Sequence, residues 1–304
     1  MTRHPLKNLP ASVHQRLLNK ARERGRPFNE LLQYYAMERF LYRISRSPHA
    51  SRFVLKGALM LTAWRASHTR PTKDIDLLGH IDNSPEIIAG IVRELCLQEV
   101  EPDGLIFASN SVEAERITED AAYEGVRIRF RGQLGTVKIP MQIDVGFGDV
   151  VLPSPNMLDY PTILDMPAPS LQGYTRESSI AEKLQAMVKL GILNSRMKDF
   201  YDIWLLSRQF DFDGATLSAA IRGTFDNRNT DVPPEAVAFS ETFARDETKQ
   251  VQWVAFVRRS RLLNIPREFA SVVDVLRKFL GPVIESLSHR KPFAQTWTAP
   301  GPWR

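Results

Sequence analysis

Apolar residues recur at helical spacing twice near the start of the chain. Val13, Leu17 and Leu18 share one side of a segment that follows Pro10 and stops at Gly25. Leu31, Leu32, Tyr35, Met37, Leu41 and Tyr42 mark a second segment, from Pro27 to just before Pro48. Residues 53–55 then read as a short strand entering Gly57, 58–66 as a helix, 75–78 as an apolar strand and 84–99 as a helix. From 125 to 131 the pattern alternates strictly: Val126, Ile128 and Phe130 stand against Arg127, Arg129 and Arg131, which predicts a half-buried strand. Residues 136–147 supply its partner, with Gly132 and Gly135 marking the turn between them. After Thr175 the helical period dominates, over 176–191, 198–209, 214–223, 234–262 and 267–287.

This order predicts an α+β fold: a small mixed β-sheet core preceded by N-terminal helices and followed by a C-terminal helical lobe. Three regions are expected: a basic helical region over 1–50, a sheet core over 51–152 and a helical lobe over 153–304 that completes the site. The Pro-rich stretch from Pro153 to Pro169 marks the lobe boundary. The tail from Pro292 to Arg304 carries no clear element.

Composition narrows the classes. The 304 residues are 43% hydrophobic and 25% charged, an ordinary globular balance. The longest apolar runs fall short of the roughly 18 residues a membrane span needs, so no membrane partner is expected. Arg3, His4 and Lys7 precede no apolar segment of the secretory type. The single cysteine, Cys96, lies between Leu95 and Leu97 and reads as a core filler in a reducing cytoplasm. Charge is unevenly placed. Residues 1–50 hold ten basic and three acidic side chains, whereas residues 51–150 hold eleven and fifteen. Arg16, Lys20, Arg22, Arg24 and Arg26 are candidates for an RNA backbone, against the alternative of a solvated helix surface.

The acidic middle carries the candidate chemistry. Asp74 and Asp76 stand two apart where a strand begins, so both carboxylates face one way while Ile75 enters the core. Asp144 lies on the polar parity of the strand Met141-Gln142-Ile143-Asp144-Val145. Three carboxylates on adjacent strands suit two Mg²⁺ ions, with Mn²⁺ as a substitute, that clamp the attacking and leaving oxygens of a phosphoryl displacement. Alone, Asp-x-Asp is weak evidence, since solvated strand ends carry it too. Upstream, Lys56-Gly57-Ala58 forms a small-residue turn whose backbone N–H groups could hold a phosphate. Thr72, between Arg70 and Lys73, could touch a phosphate oxygen or serve as a plain turn residue. Lys183 borders the apolar stripe of Ile180, Leu184 and Met187, as an inward-aimed or a snorkelling lysine would. Asp199 and Asp202 open the next helix on one face, where a helix-dipole role is also open. The three arginines at 127, 129 and 131 could meet an RNA backbone or simply face solvent.

The combination of the Gly57 turn, Arg70-x-Thr72-x-Asp74-x-Asp76, helical Glu182-Lys183-Leu184 and Lys198-Asp199-x-x-Asp202 resembles the AbiEii/AbiGii toxin-like nucleotidyltransferases, a branch of the DNA polymerase β-like superfamily. The likeness runs from about residue 50 to 210. One departure is visible, Gly57-Ala58 where the family has a double glycine. The resemblance implies metal ligation by Asp74 and Asp76, pairing of Lys183 with nucleotide phosphates, and an Asp199 that orients Lys183 or assists the incoming hydroxyl. It further implies an enzyme that moves a nucleoside monophosphate from an NTP to the tRNA 3′ end, as the toxin of a toxin–antitoxin or phage-defence pair with a cognate antitoxin. Two alternatives keep the scaffold: transfer to a protein or small molecule, and a catalytically silent RNA- or partner-binding module.

Overall fold

A computed structural model describes residues 8–118 and 124–304, so Arg3, His4 and Lys7 lie outside the described residues. The chain forms two compact units. The first comprises Met1–Arg65, Pro71–Gly148 and Met157–Gly173; the second comprises Ala66–Arg70, Asp149–Asn156 and Tyr174–Arg304.

In the first unit, α1 (Leu9–Glu23) starts where the Asn8 side chain accepts the Ala11 N–H at 3.1 Å, and buries Val13, Leu17 and Ala21. Helix α2 (Phe28–Arg46) is buried on all sides from Tyr35 to Ile44. Then come β1 (Phe53–Lys56), α3 (Leu59–Ala63), β2 (Ile75–Gly79), α4 (Pro85–Leu97), β3 (Leu105–Thr118), β4 (Glu124–Leu134), β5 (Val137–Phe147), β6 (Asn156–Asp159) and β7 (Ser170–Gly173). The strands form one seven-stranded mixed sheet in the order β3-β4-β5-β2-β1-β7-β6. Strand β2 runs parallel to β5 and antiparallel to β1, and β4 runs antiparallel to both β3 and β5.

Alternation along β4 and β5 sends Val126, Ile128, Phe130, Ile139, Met141, Ile143 and Val145 into the core. Helices α2 and α4 pack against the sheet, and Phe40 of α2 meets Phe107 and Phe130 at ring distances of 5.2 and 4.9 Å. The register lines up one residue from each of five adjacent strands in a transverse row: Glu115, Arg127, Asp144, Asp76 and Lys56. Directly paired residues project to the same face, so the row gathers charge opposite the apolar parity.

The second unit is helical, as expected for the C-terminal half. It holds α5 (Arg176–Leu190), α6 (Met197–Gln209), β8 (Phe212–Asp213), α7 (Gly214–Asn227), α8 (Glu241–Ala244), α9 (Glu247–Ser260), α10 (Phe269–Ser288) and β9 (Thr296–Trp297). Its core is aromatic, with Phe200, Phe243 and Phe269 in mutual contact and Trp253 against Phe269. The single helix expected over 234–262 is divided. The Ser240 side chain caps the Phe243 N–H at 3.2 Å and Asp246 caps the Lys249 N–H at 2.9 Å, so two new helices begin inside that span. The tail also departs from the expectation of no element. Strand β9 pairs with β8, and the indoles of Trp297 and Trp303 donate to the Ser207 and Phe279 carbonyls at 2.7 Å each.

Candidate active site

Strands β2 and β5 run parallel with Asp76 opposite Asp144, and Asp74 precedes β2 by one residue. The carboxylate oxygens of Asp74, Asp76 and Asp144 converge to within 4.8 Å of one another. All three sequence-predicted metal ligands therefore come together. The donor set fits a hard divalent cation, which takes oxygen ligands and offsets the mutual repulsion of clustered carboxylates.

The turn after β1 is built against this cluster. Gly57 has φ +69°, and a Cβ there would lie 1.9 Å from Asp76 Oδ2. Only glycine allows both the left-handed backbone and the close approach. Ala58 has an ordinary helical φ of −68° and is buried, so its methyl group is accommodated without strain. The helix expected over 58–66 is the five-residue α3. Lys56 ends β1 directly opposite Asp76 in the register.

The approach to Asp74 is held by side chains that the sequence pattern did not single out. Tyr34 Oη accepts the Thr72 N–H at 3.1 Å, and Gln33 Nε2 donates to the Pro140 and Lys73 carbonyls at 3.0 and 3.3 Å. Thr72 Oγ1 in turn donates to Asp74 Oδ1, which fixes the carboxylate's rotamer. No local motif marks Gln33 and Tyr34. Their signal is positional, because they ride on the buried α2 above the loop.

Arg127 corrects a sequence expectation. Rather than meeting RNA or solvent, it makes a two-point pair with Asp144, Nε to Oδ1 at 2.8 Å and Nη2 to Oδ2 at 2.7 Å. Gln142 Nε2 adds contacts of 3.2 Å to both oxygens. Hydrogen bonding to Asp144 raises the Arg127 pKa further above its already high value. Arg129, two residues on, is exposed and pairs with Glu115 at 2.8 Å.

The second unit carries a separate buried charge network. Lys183 of α5 lies 3.2 Å from Asp202 and 3.7 Å from Asp199, both on α6. Arg70 makes a two-point pair with Asp202 at 2.8 and 2.9 Å, and Arg196 reaches Asp199 at 2.7 Å. Burial disfavours the charged form of Asp202, yet Arg70 and Lys183 outweigh it and hold the carboxyl below its ordinary value. Lys183, 14% exposed, is thus an inward-aimed lysine fixed by two aspartates rather than a snorkelling one. Ile180, Leu184 and Met187 of the same helix are buried.

Among the basic residues of α1, Lys20 pairs with Glu23 at 2.9 Å. Arg26, just beyond the helix, pairs with Glu30. Arg22 and Arg24 are exposed, and Arg16 is half-exposed. Among the described residues, no helix is long and apolar enough to cross a membrane.

The family model described as "Nucleotidyl transferase AbiEii toxin, Type IV TA system" matches residues 39–275. Two similar solved structures come from Helicobacter pylori. JHP933 has 14% identity and a TM-score of 0.48, with 94% of this chain and 97% of that chain covered. A candidate nucleotidyltransferase has 14% identity and a TM-score of 0.47, covering 86% and 96%. No curated protein sequence matches.

Proposed function

The chain belongs to the AbiEii nucleotidyltransferase toxin family, and from that premise we propose an enzyme that moves a nucleoside monophosphate from an NTP to an acceptor hydroxyl. Membership implies a nucleotide substrate and an antitoxin partner. The finer assignments are our reading: Mg²⁺ as the cation, the tRNA 3′ end as acceptor, and growth arrest or phage defence as the outcome. The observation that supports it best is the convergence of Asp74, Asp76 and Asp144 to within 4.8 Å beside the Gly57 turn.

In this reading Asp74 and Asp76 hold the divalent cation, with Asp144 as a third ligand. The bound cation would supply charge stabilisation at the α-phosphate and at the attacking oxygen. The acceptor hydroxyl gives its proton to water, its oxygen bonds the α-phosphorus, and pyrophosphate leaves with the electron pair of the broken bond between the α-phosphorus and the bridging oxygen. Thr72 keeps Asp74 in its ligating rotamer through the bond to Oδ1. Lys56, Gly57 and Ala58 provide the turn assigned to the phosphates. Lys183 is the lysine that the family resemblance pairs with nucleotide phosphates, and Asp199 and Asp202 hold its ammonium in place. Arg70 orients Asp202 from its other side.

The test is incubation with each labelled NTP, Mg²⁺ and total cellular RNA, followed by separation of RNA and protein. Label in tRNA is the expected result. Label in protein would move the acceptor to a protein hydroxyl, and no transfer with any NTP would leave a binding module. Asp74→Ala and Asp76→Ala should each lower transfer by more than about 10²-fold with thermal unfolding unchanged. Near-normal transfer by either variant would refute its role as a ligand.

A further inference from the structure

The three clustered carboxylates are not equivalent. A carboxylate has about four lone-pair sites. Asp144 receives two short charge-assisted bonds from Arg127, one on each oxygen, and Gln142 approaches both oxygens as well. Asp74 accepts the Thr72 hydroxyl on Oδ1, and its Oδ2 accepts no hydrogen bond among the described residues. A cation arriving at the cluster therefore finds Asp74 open and Asp144 saturated. It also finds a guanidinium fixed beside Asp144, whose positive charge opposes a second positive charge at close range.

We propose that Arg127 gates the third carboxylate. Its guanidinium holds Asp144 as an internal salt bridge, so a divalent cation is taken first by Asp74. Asp144 joins only when Arg127 lets go. This proposal rests on the metal-dependent reading above.

Two features of the fold support a gate over a rigid strut. The pair is formed by directly opposed residues of β4 and β5, so Asp144 has a partner before any cation arrives. The Arg127 side chain is nonetheless 27% exposed, while that of Asp144 is 9% exposed, so the arginine is the member with room to swing away. The released fork is suited to a phosphate oxygen, which it binds with the same planar geometry as a carboxylate.

Manganese binding, measured by calorimetry on the nucleotide-free full chain, tests the proposal without relying on activity. With Arg127 intact, Asp74→Asn should abolish binding, whereas Asp144→Asn should change the affinity by less than about threefold, because Asp144 is already engaged. Arg127→Gln should tighten binding about tenfold, the scale of changes made just outside a ligand set. Adding Asp144→Asn to Arg127→Gln should erase that gain. Arg127→Lys, which keeps the charge but loses the two-point fork, guards against a folding failure and should also tighten binding, by less than Arg127→Gln. Circular dichroism and thermal unfolding identify any variant that fails to fold.

An Arg127→Gln protein that is folded, binds Mn²⁺ no tighter than wild type and still depends on Asp74 would overturn the gate and leave the metal site standing. So would a gain that survives the loss of Asp144. Absence of Mn²⁺ binding in folded wild type and Arg127→Gln alike would instead overturn the metal-dependent reading itself.

Discussion

A methyl group added at position 57 meets the substrate-side chemistry before it meets solvent. The φ of +69° already disfavours alanine, by about 1–2 kcal/mol from the backbone alone. The added carbon would also sit 1.9 Å from Asp76 Oδ2 and 2.6 Å from its Cγ, so the carboxylate must leave its place beside Asp144. Gly57→Ala should therefore lose Mn²⁺ affinity by more than its modest loss of thermal stability would account for. Ala58→Gly, with an ordinary φ, should leave the affinity unaltered. Equal affinities for Gly57→Ala and wild type would show that the turn does not set the Asp76 position. Residue-scale chemistry was well marked in the sequence where spacing alone fixes direction. Two acids at i and i+2 on a strand must share a face, and Asp74 and Asp76 do bring their carboxylates to one cluster. Arg127 was misread because alternation reveals which face a residue occupies, not what stands opposite it on the next strand.

At the scale of elements, α2 was visible from its apolar period, but its burial on all sides was not. That burial encloses an ion pair. Glu38 and Arg39 meet at 3.0 Å with both side chains 1% exposed; Glu38 accepts the Ile163 N–H at 2.7 Å, and Arg39 donates to the Pro167 carbonyl at 2.7 Å. Burial pushes the Glu38 carboxyl up to about 7, with Arg39 and the Ile163 N–H only partly opposing it. The native state thus retains a proton that the unfolded chain gives up near the ordinary carboxylate value of 4.5. Stability attributable to Glu38 is full below that value, declines as pH rises through about 7, and is lower above it by an amount on the order of 3 kcal/mol. Urea unfolding at pH 5 and pH 8 should show this decline in wild type and a smaller one in Glu38→Gln; identical slopes would remove Glu38 as the cause. Other elements escaped the sequence for definable reasons. Strand β3 shifts register between Ala108 and Glu113, which resets its parity and erases any single period. Its exposed Ile106 further blurs the apolar face. Strands β6 and β7 are four residues each, one within the Pro-rich stretch and one just after it, too short to show alternation. The split of 234–262 was hidden because the caps Ser240 and Asp246 interrupt the backbone without interrupting the apolar count.

Across the whole molecule, charge rather than shape bears on the choice of acceptor. Ten basic and three acidic side chains fall within the first fifty residues, against an acidic excess over the next hundred. The structure sorts four of the five basic residues proposed for RNA. Lys20 and Arg26 have carboxylate partners one turn away, whereas Arg22 and Arg24 are exposed at the end of α1 with no such pair among the described residues. Surface pairs of that kind are worth little, so Lys20 and Arg26 stay available to a polyanion but begin partly neutralised. If the acceptor is tRNA, binding must release counterions from its phosphates. Each phosphate that the protein no longer neutralises should flatten the plot of log affinity against log salt by about 0.7–0.9. Reversing Arg22 and Arg24 to Glu should therefore weaken tRNA binding and flatten that slope by the equivalent of about two phosphates. The same reversal at Lys20 and Arg26 should have a smaller effect, and Mn²⁺ affinity should be unchanged in both variants. A slope identical to wild type in the Arg22/Arg24 variant would assign these charges to solvation of the helix and place the RNA-binding surface elsewhere on the chain.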